Sequence, residues 1–409
     1  MGDEKRFVGW SVAWAAFTLA VFAWGIGFYG PSVFLQTLHA SRGWPISEIS
    51  AAITFHFLLS ALLVAHLPEI HRKIGIAGTT LGGALLMAIG LIGWSVSWEP
   101  WQLFLAAIPS AGGWAATSGA ALNAIVARWF DRDRPKAMSL AFNGASVGGV
   151  LFVPLWLFLI DQFGFQNAAQ AISIVAIGVI GGLSVRYFKL TPTSLGLGPD
   201  GNGVPTLVAK PGPRLSRSEI IRIPGFITLS AAFALGLFAQ IGLLSHLIAR
   251  LTPDLGAATA GLLLSLATVC AVIGRSLTGW WIGDHDRRIA AAINFAIQTI
   301  GVLLLILGNG WIVLTFGCVV FGLGIGNLTT LPPLIAQKEF NRQDVLAVVA
   351  LIVAINQAVF AFAPAIIGAF HDATSGYGLA FGIVACIQLL AAMVVLLGRE
   401  RVLPSRKSA

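Results

Sequence analysis

Lysine and arginine fall in every second gap between twelve apolar stretches, and each stretch is long enough to cross a lipid bilayer. The stretches run over residues 8–36, 46–67, 74–96, 101–128, 136–160, 166–188, 224–250, 257–283, 288–308, 311–337, 344–370 and 376–398. About 20 apolar residues of helix cross roughly 30 Å of hydrocarbon, and inside lipid the main chain has to satisfy its own polar groups. The pattern predicts an all-α membrane protein. Its basic side chains gather at Lys5 and Arg6, Arg72 and Lys73, Arg128 to Lys136, Arg186 to Arg222, Arg287 and Arg288, Lys338 and Arg342, and Arg399 to Lys407. Arg42 and Arg250 fall in the opposite gaps, and Arg275 alone stands inside a span. Because cytoplasmic loops collect Lys and Arg, both termini are expected in the cytoplasm.

Composition removes several function classes. At 57% hydrophobic and 10% charged, the chain is too apolar for a soluble domain. The net charge of +8 follows from topology: no basic stripe interleaved with aromatics appears, so no nucleic-acid partner is expected. Cys270, Cys318 and Cys386 sit singly inside spans, without the paired spacing of a disulfide or metal site. The first apolar run is too long for a signal peptide and shows no cleavage site, so it reads as a retained helix. No phosphate-binding Gly-x-x-x-x-Gly-Lys-Ser/Thr motif is present. Transport driven by gradients is therefore expected, with no cofactor and no metal.

Residues 189–223 are rich in Pro and Gly and form the one long loop, which argues against regular structure there. The loop divides the chain into a six-helix bundle at 1–188, a cytoplasmic linker at 189–223, and a second bundle with a short cytoplasmic tail at 224–409. Arg132 and Pro154 recur as Arg342 and Pro364 at one common offset. Two six-helix halves related by an axis along the membrane normal form the major facilitator arrangement. Glycines at helix-face spacing, such as Gly144, Gly148 and Gly149, or Gly322, Gly324 and Gly326, suit close helix packing.

From Arg128 the chain runs RWFDRDRPKAMSLAFNGASVGG, which resembles the helix 4 to helix 5 hallmark of the monocarboxylate-transporter-like branch of the major facilitator superfamily. GWPISEIS at Gly43 to Ser50 and TPTSLGLGPDG at Thr191 to Gly201 extend the resemblance over essentially the whole chain. In the eighth span, IGRSLTGWWIGD at Ile273 to Asp284 resembles the segment where the family keeps an arginine for the substrate carboxylate; the resemblance gives that role to Arg275. Relatives with an acidic partner one turn earlier have Asp, whereas this chain has Ala271. A lysine late in the first helix of some relatives is Tyr29 here, and the helix 11 lysine of oxalate exchangers is missing. A singly charged anion is thus favoured over a dicarboxylate. The superfamily's loop 2 to 3 motif is degenerate at Pro68 to Gly75, while its second-half copy keeps Asp284, Arg287 and Arg288, the candidates for a conformational latch.

Depth along the helices supports the same residues. Arg275 lies about 12 Å from the cytoplasmic end of its span, and an arginine there costs at least roughly 2.5 kcal/mol unless it meets water or a partner. Its planar fork suits a carboxylate; the alternative is a structural arginine that bonds main-chain carbonyls or snorkels. His56, about 15 Å into the second span, titrates near neutrality and is the proton-coupling candidate; the alternative is a neutral imidazole held by a hydrogen bond. Tyr29, Asn143 and Asn356 are expected to shape the substrate site, with Asn123, Gln240, Asn327 and Gln357 at similar depth. Asn294 and Gln298 are assigned to helix contacts, and His246 and His371 to solvated outer ends. Trp24 and Trp114 lie deep enough to wall a pocket. Trp10, Trp98, Trp101, Trp280 and Trp281 suit an interfacial belt.

These readings converge on a monomeric multi-pass secondary transporter of the inner (plasma) membrane, moving a small organic monoanion by alternating access, with proton symport. Two alternatives stay open: an exporter of a neutral or hydrophobic compound on the same fold, and a membrane-embedded enzyme or receptor.

Overall fold

Lipid offers main-chain N–H and C=O groups no partner but each other, and in a computed structural model of the chain helices are the answer throughout. Residues 7–44, 46–201, 214–308, 310–374 and 376–399 are described. Lys5 and Arg6, the linker stretch 202–213 and the tail beyond Arg399 lie outside them, as does the side chain of Asp372. The chain divides into two compact units, Met1–Lys210 and Pro211–Ala409.

The first unit holds α1 (Gly9–Gly27), α2 (Gly30–Arg42), α3 (Ile46–Ala65), α4 (Leu67–Val96), α5 (Gln102–Thr117), α6 (Gly119–Trp129) and α7 (Arg134–Leu183). The second holds α8 (Arg217–Ile220), α9 (Pro224–Leu255), α10 (Ala257–Trp281), α11 (Arg287–Leu307), α12 (Trp311–Ile325), α13 (Asn327–Glu339), α14 (Val345–Phe360), α15 (Ala363–Thr374) and α16 (Tyr377–Leu397). No strand occurs among the described residues.

The twelve spans differ from expectation at their joints. The first breaks at Phe28 and Tyr29, the fourth at Ser118, the tenth at Gly326, and the eleventh at Ala361 and Phe362. Pro31 and Pro364 stand just past two of these breaks, where each removes a helical N–H donor. The fifth and sixth spans run on as α7, which leaves helical geometry only at Gly164, φ +77°. The linker is also more regular than its composition suggests, with short 3-10 turns at Thr193–Leu195 and Pro199–Gly201 and the capping-boxed α8.

Small residues set the helix spacing inside each unit. A Cβ at Gly144 or Gly148 of α7 would run into the carbonyl oxygens of Phe17 and Val21 on α1. In the second unit a Cβ at Gly274 of α10 would strike Leu323 O, and one at Gly322 of α12 would lie 2.6 Å from Ala267 O. Backbones therefore touch where lipid gives no hydrophobic drive for helices to associate. Trp98, Trp101 and Trp280 are well exposed and Trp10 and Trp281 moderately so, as an interfacial belt requires.

Ionic contacts collect at helix ends. In the first unit the Asp200 carboxylate accepts the N–H groups of Asp131, Arg132 and Asp133 at 3.1, 2.8 and 3.3 Å. Asp200 sits at φ +57°, a left-handed conformation that Asp tolerates, and it places a negative charge at the start of α7, where the helix dipole favours one. The two quoted family-like segments, around Arg128 and Thr191, thus meet through this clamp. At the outer edge, Arg42 donates to Ser95 O at 3.1 Å with Trp44 and Trp98 rings each 5.1 Å away. That explains why one basic residue is tolerated on that side.

In the second unit Arg288 is 2% exposed and spends all five donors. Nε and Nη2 grip Glu339 at 2.5 and 2.7 Å, Nη2 also reaches Gly225 O at 2.9 Å, and Nη1 reaches Val395 O at 3.0 Å and Thr228 Oγ1 at 3.2 Å. One guanidinium so joins α9, α11, α13 and α16. Arg287 donates to Leu334 O and to Gln337 Oε1, while Asp284 and Lys338 form a loose, exposed pair at 3.8 Å. The N-cap Asp286 accepts the N–H groups of Arg288 and Ile289 and binds Arg399 at 2.6 Å.

Two outcomes follow for stability. Arg288→Met leaves the part-buried Glu339 carboxylate without its partner and is expected to cost about 3 kcal/mol, read as a large drop in the unfolding temperature of detergent-purified protein; Arg288→Met with Glu339→Leu should recover most of it. For Asp286, burial alone would push the carboxyl up, but hydrogen bonds from Ile289, Arg399 and Arg288 outweigh it and hold it below the usual range. A depressed carboxyl adds stability above its unfolded value, near ~3.9, and loses it as pH falls through the folded value. Asp286→Asn, which keeps an N-cap, should melt earlier than the parent at pH 7, with the gap closing below pH ~4.

Candidate functional site

The break between α1 and α2 carries Phe28 and Tyr29. There the Trp24 carbonyl accepts the N–H groups of both Phe28 and Tyr29, at 3.1 and 2.8 Å. Tyr29 is part-buried, and its ring occupies the space that a Cβ at Gly149 would need. Asn143 is part-buried on α7, one residue before the close α1 contact at Gly144.

His56 on α3 is 0% exposed, its ring 4.9 Å from that of Phe57. The Gly27 backbone faces the imidazole, yet neither ring nitrogen meets hydrogen-bond geometry with any group among the described residues. An unsatisfied buried polar group costs about 1–3 kcal/mol, so this imidazole is held by its surroundings at a cost. Ser118, at the α5/α6 break, repeats the pattern: it is 1% exposed and its Oγ has no partner among the described residues.

In the second unit the break between α12 and α13 faces Arg275. This arginine is 4% exposed, and its Nε donates to Gly326 O at 3.0 Å. Thr329 Oγ1 donates to the same oxygen at 2.9 Å, so the carbonyl at the break is satisfied by two side-chain donors. Gly326 also lets α10 approach closely. A Cβ on that glycine would lie 2.6 Å from Ala271 O and 2.9 Å from Arg275 Cβ, so α10 presses Ala271 and Arg275 against the break. Asn356 on α14 is 4% exposed, with its Oδ1 unpartnered among the described residues.

Behind this break runs a chain of amides. Gln388 Nε2 donates to Gln298 Oε1 at 2.6 Å and Gln298 Nε2 to Gln240 Oε1 at 2.7 Å. Asn327 Nδ2 donates to Asn294 Oδ1 at 2.8 Å and Asn294 Nδ2 to Gly324 O at 3.2 Å. Asn294 and Gln298 thus make the helix contacts expected of them. His246 does more than meet solvent: its Nε2 lies 2.9 Å from Pro364 O at the α14/α15 break and its Nδ1 3.2 Å from Tyr377 Oη, while the His371 ring lies 4.3 Å from Tyr377.

The proposed substrate residues therefore fall two to a unit: Tyr29 and Asn143 in the first, Arg275 and Asn356 in the second. The latch candidates Asp284, Arg287 and Arg288 meet α13 within the second unit. Sequence reasoning did not single out Glu339, Ser118, Phe28, Phe57 or Gln388. Glu339 and Gln388 carried a usable signal, being polar residues at the end of or inside an apolar run. No group of three His, Cys, Asp or Glu side chains that could hold a metal occurs among the described residues.

The sequence profile of the Major Facilitator Superfamily matches residues 13–340 and 242–409. Monocarboxylate transporter 13 of Bos taurus is 26% identical over 282 residues, 68% of this chain and 62% of that protein. The rat counterpart is 28% identical over 220 residues, 46% of its length, so the chain spans only part of these two curated relatives. Monocarboxylate transporter 4 of Rattus norvegicus is 23% identical over 425 residues, 98% of this chain and 84% of that one. Among solved structures, the human organic anion transporter MFSD10 (TETRAN) superposes with TM-score 0.71 at 15% identity, covering 97% of this chain and 100% of that one. The E. coli fucose:proton symporter FucP gives 0.70 at 16% identity, covering 96% and 99%. The all-helical architecture and a profile match over most of its length place the chain in one family: it belongs to the Major Facilitator Superfamily.

Proposed function

We propose that this protein is a secondary transporter carrying a small organic monoanion, a monocarboxylate, across the cell's inner membrane by alternating access, in symport with protons. The observation that carries this reading is Arg275, a guanidinium inside an apolar span with 4% exposure. A cation at that depth calls for anions, water or main-chain oxygens around it, and a planar fork suits a carboxylate better than a point charge does. The bond from Nε to Gly326 O holds the base of the fork in a fixed orientation. Relatives named monocarboxylate transporters and a fold neighbour named an organic anion transporter support the same class.

Tyr29, Asn143 and Asn356 contribute polar contacts to the cargo, and the unpartnered Oδ1 of Asn356 suits a hydroxyl or amide donor on it. His56 is the proton carrier: its buried imidazole has no side-chain partner and faces only the Gly27 backbone, so at least one ring nitrogen is available to take up a proton. Asp284, Arg287 and Arg288 link the α10–α11 turn to α13 and stiffen that end of the second unit during the cycle.

Uptake of radiolabelled monocarboxylates into proteoliposomes tests the anion reading. Arg275→Lys keeps the charge and loses the fork, so uptake should fall at least tenfold, about 1.4 kcal/mol, with the unfolding temperature little changed; parental uptake in folded Arg275→Lys and Arg275→Ala removes Arg275 from the site. Proton linkage has its own readout. His56→Gln should retain substrate counterflow while losing the acceleration that an inward proton gradient gives the parent; undiminished acceleration in the variant would remove His56 from the proton path.

A further inference from the structure

We infer that the first unit carries a ring-binding subsite made by Trp24, Phe28, Phe57 and Trp114, and that the cargo is an aryl-bearing monocarboxylate rather than a short aliphatic one. The inference rests on the anion reading above for the carboxylate; the ring is argued from the first unit alone.

Four rings from three helical spans converge. Trp24 and Trp114 meet edge to face at 4.9 Å, Phe28 lies nearly parallel to Trp114 at 6.0 Å, and Phe57 stands edge-on to Phe28 at 6.0 Å and to Trp114 at 6.4 Å. Rings with a negative face and a positive edge prefer further rings in offset or T-shaped contact. Trp24 and Trp114 are closed off at 8% and 3% exposure, whereas Phe28 and Phe57 are only part-buried. The cluster thus has a sealed back and two rings with area left uncovered.

Two further observations separate this cluster from ordinary core packing. It sits at both helix breaks of the unit. Phe28 is in the α1/α2 joint, and Trp114 is one turn before the α5/α6 joint, its carbonyl accepting the Ser118 N–H at 2.9 Å. It also borders two buried polar side chains that packing alone does not call for: Ser118, with its Oγ unengaged, and His56, beside Phe57, which has only the Gly27 backbone facing its ring. Buried polar groups in native structures find partners, and a ring-bearing cargo with a polar substituent supplies one. Gly27 shows how tightly the wall is built, since a Cβ there would lie 2.7 Å from the Trp114 ring. A short aliphatic acid would leave most of that aromatic surface unused.

The test compares phenylacetate, cyclohexylacetate, butyrate and 2-phenylacetamide as ligands of the purified full chain, by tryptophan fluorescence titration and thermal shift. Phenylacetate should bind at least tenfold tighter than cyclohexylacetate or butyrate. Phe57→Leu and Trp114→Leu should each weaken phenylacetate at least fivefold and leave butyrate unchanged; where Trp114→Leu does not fold, Phe57→Leu decides. Butyrate or cyclohexylacetate binding as tightly as phenylacetate, equal weakening of acids with and without the ring, or no binding by either aryl probe overturns the subsite. If 2-phenylacetamide binds as tightly as phenylacetate and both depend on Phe57, the anion reading fails and the subsite stands.

Discussion

Inside a bilayer each main-chain polar group has to find its partner within the protein, and an unbroken helix does this without help. Where a helix breaks, something else has to step in. At the first break the Trp24 carbonyl takes two N–H groups, and at the tenth-span break Gly326 O takes Arg275 Nε and Thr329 Oγ1. Near the eleventh-span break Pro364 O faces His246 Nε2. Several polar side chains, Arg275, Thr329 and His246, stand where the helical ladder is interrupted, and so does Tyr29 among the side chains assigned to cargo.

The two units meet this requirement with different chemistry. The first uses rings with a histidine and a serine beside them, while the second uses amides and one guanidinium. The amide chain from Gln388 through Gln298 to Gln240 ties α16, α11 and α9 without any charge. A neutral network suits that setting, because its members bond one another and none needs a counter-ion, although Gln388 Oε1 has no partner among the described residues. Full charges are confined to the ends, where Asp200 clamps the start of α7 and Arg288 gathers four helices. Arg275 is the exception, which is why it carries the functional reading.

Close approach is the other common thread. Gly144 and Gly148 admit the α1 carbonyls, Gly274 and Gly322 bring α10 and α12 into backbone contact, and Gly326 seats Ala271 and Arg275.

The sequence by itself determined the architecture. Span length, the alternation of basic gaps and the six-plus-six layout each follow from one-dimensional rules of lipid crossing and topology, so the spans and the fold class were legible without a neighbour in view. Depth could be read as well, since rise per residue placed Arg275 and His56 far from either surface. What depth could not give was direction around the helix axis and the identity of the partner. Whether Arg275 meets a carbonyl, whether Asp200 reaches the loop before α7, and whether Glu339 rather than an adjacent acid satisfies Arg288 depend on residues far apart in the chain. The breaks at Ser118 and Gly326 were hidden for a similar reason: glycine and serine are as common in straight packed helices as in broken ones, and only the neighbouring helix decides which a given position becomes. Tertiary structure alone therefore chose the partners of the buried polar groups, because hydrogen bonds and ring contacts are set by distance in space and not by spacing along the chain.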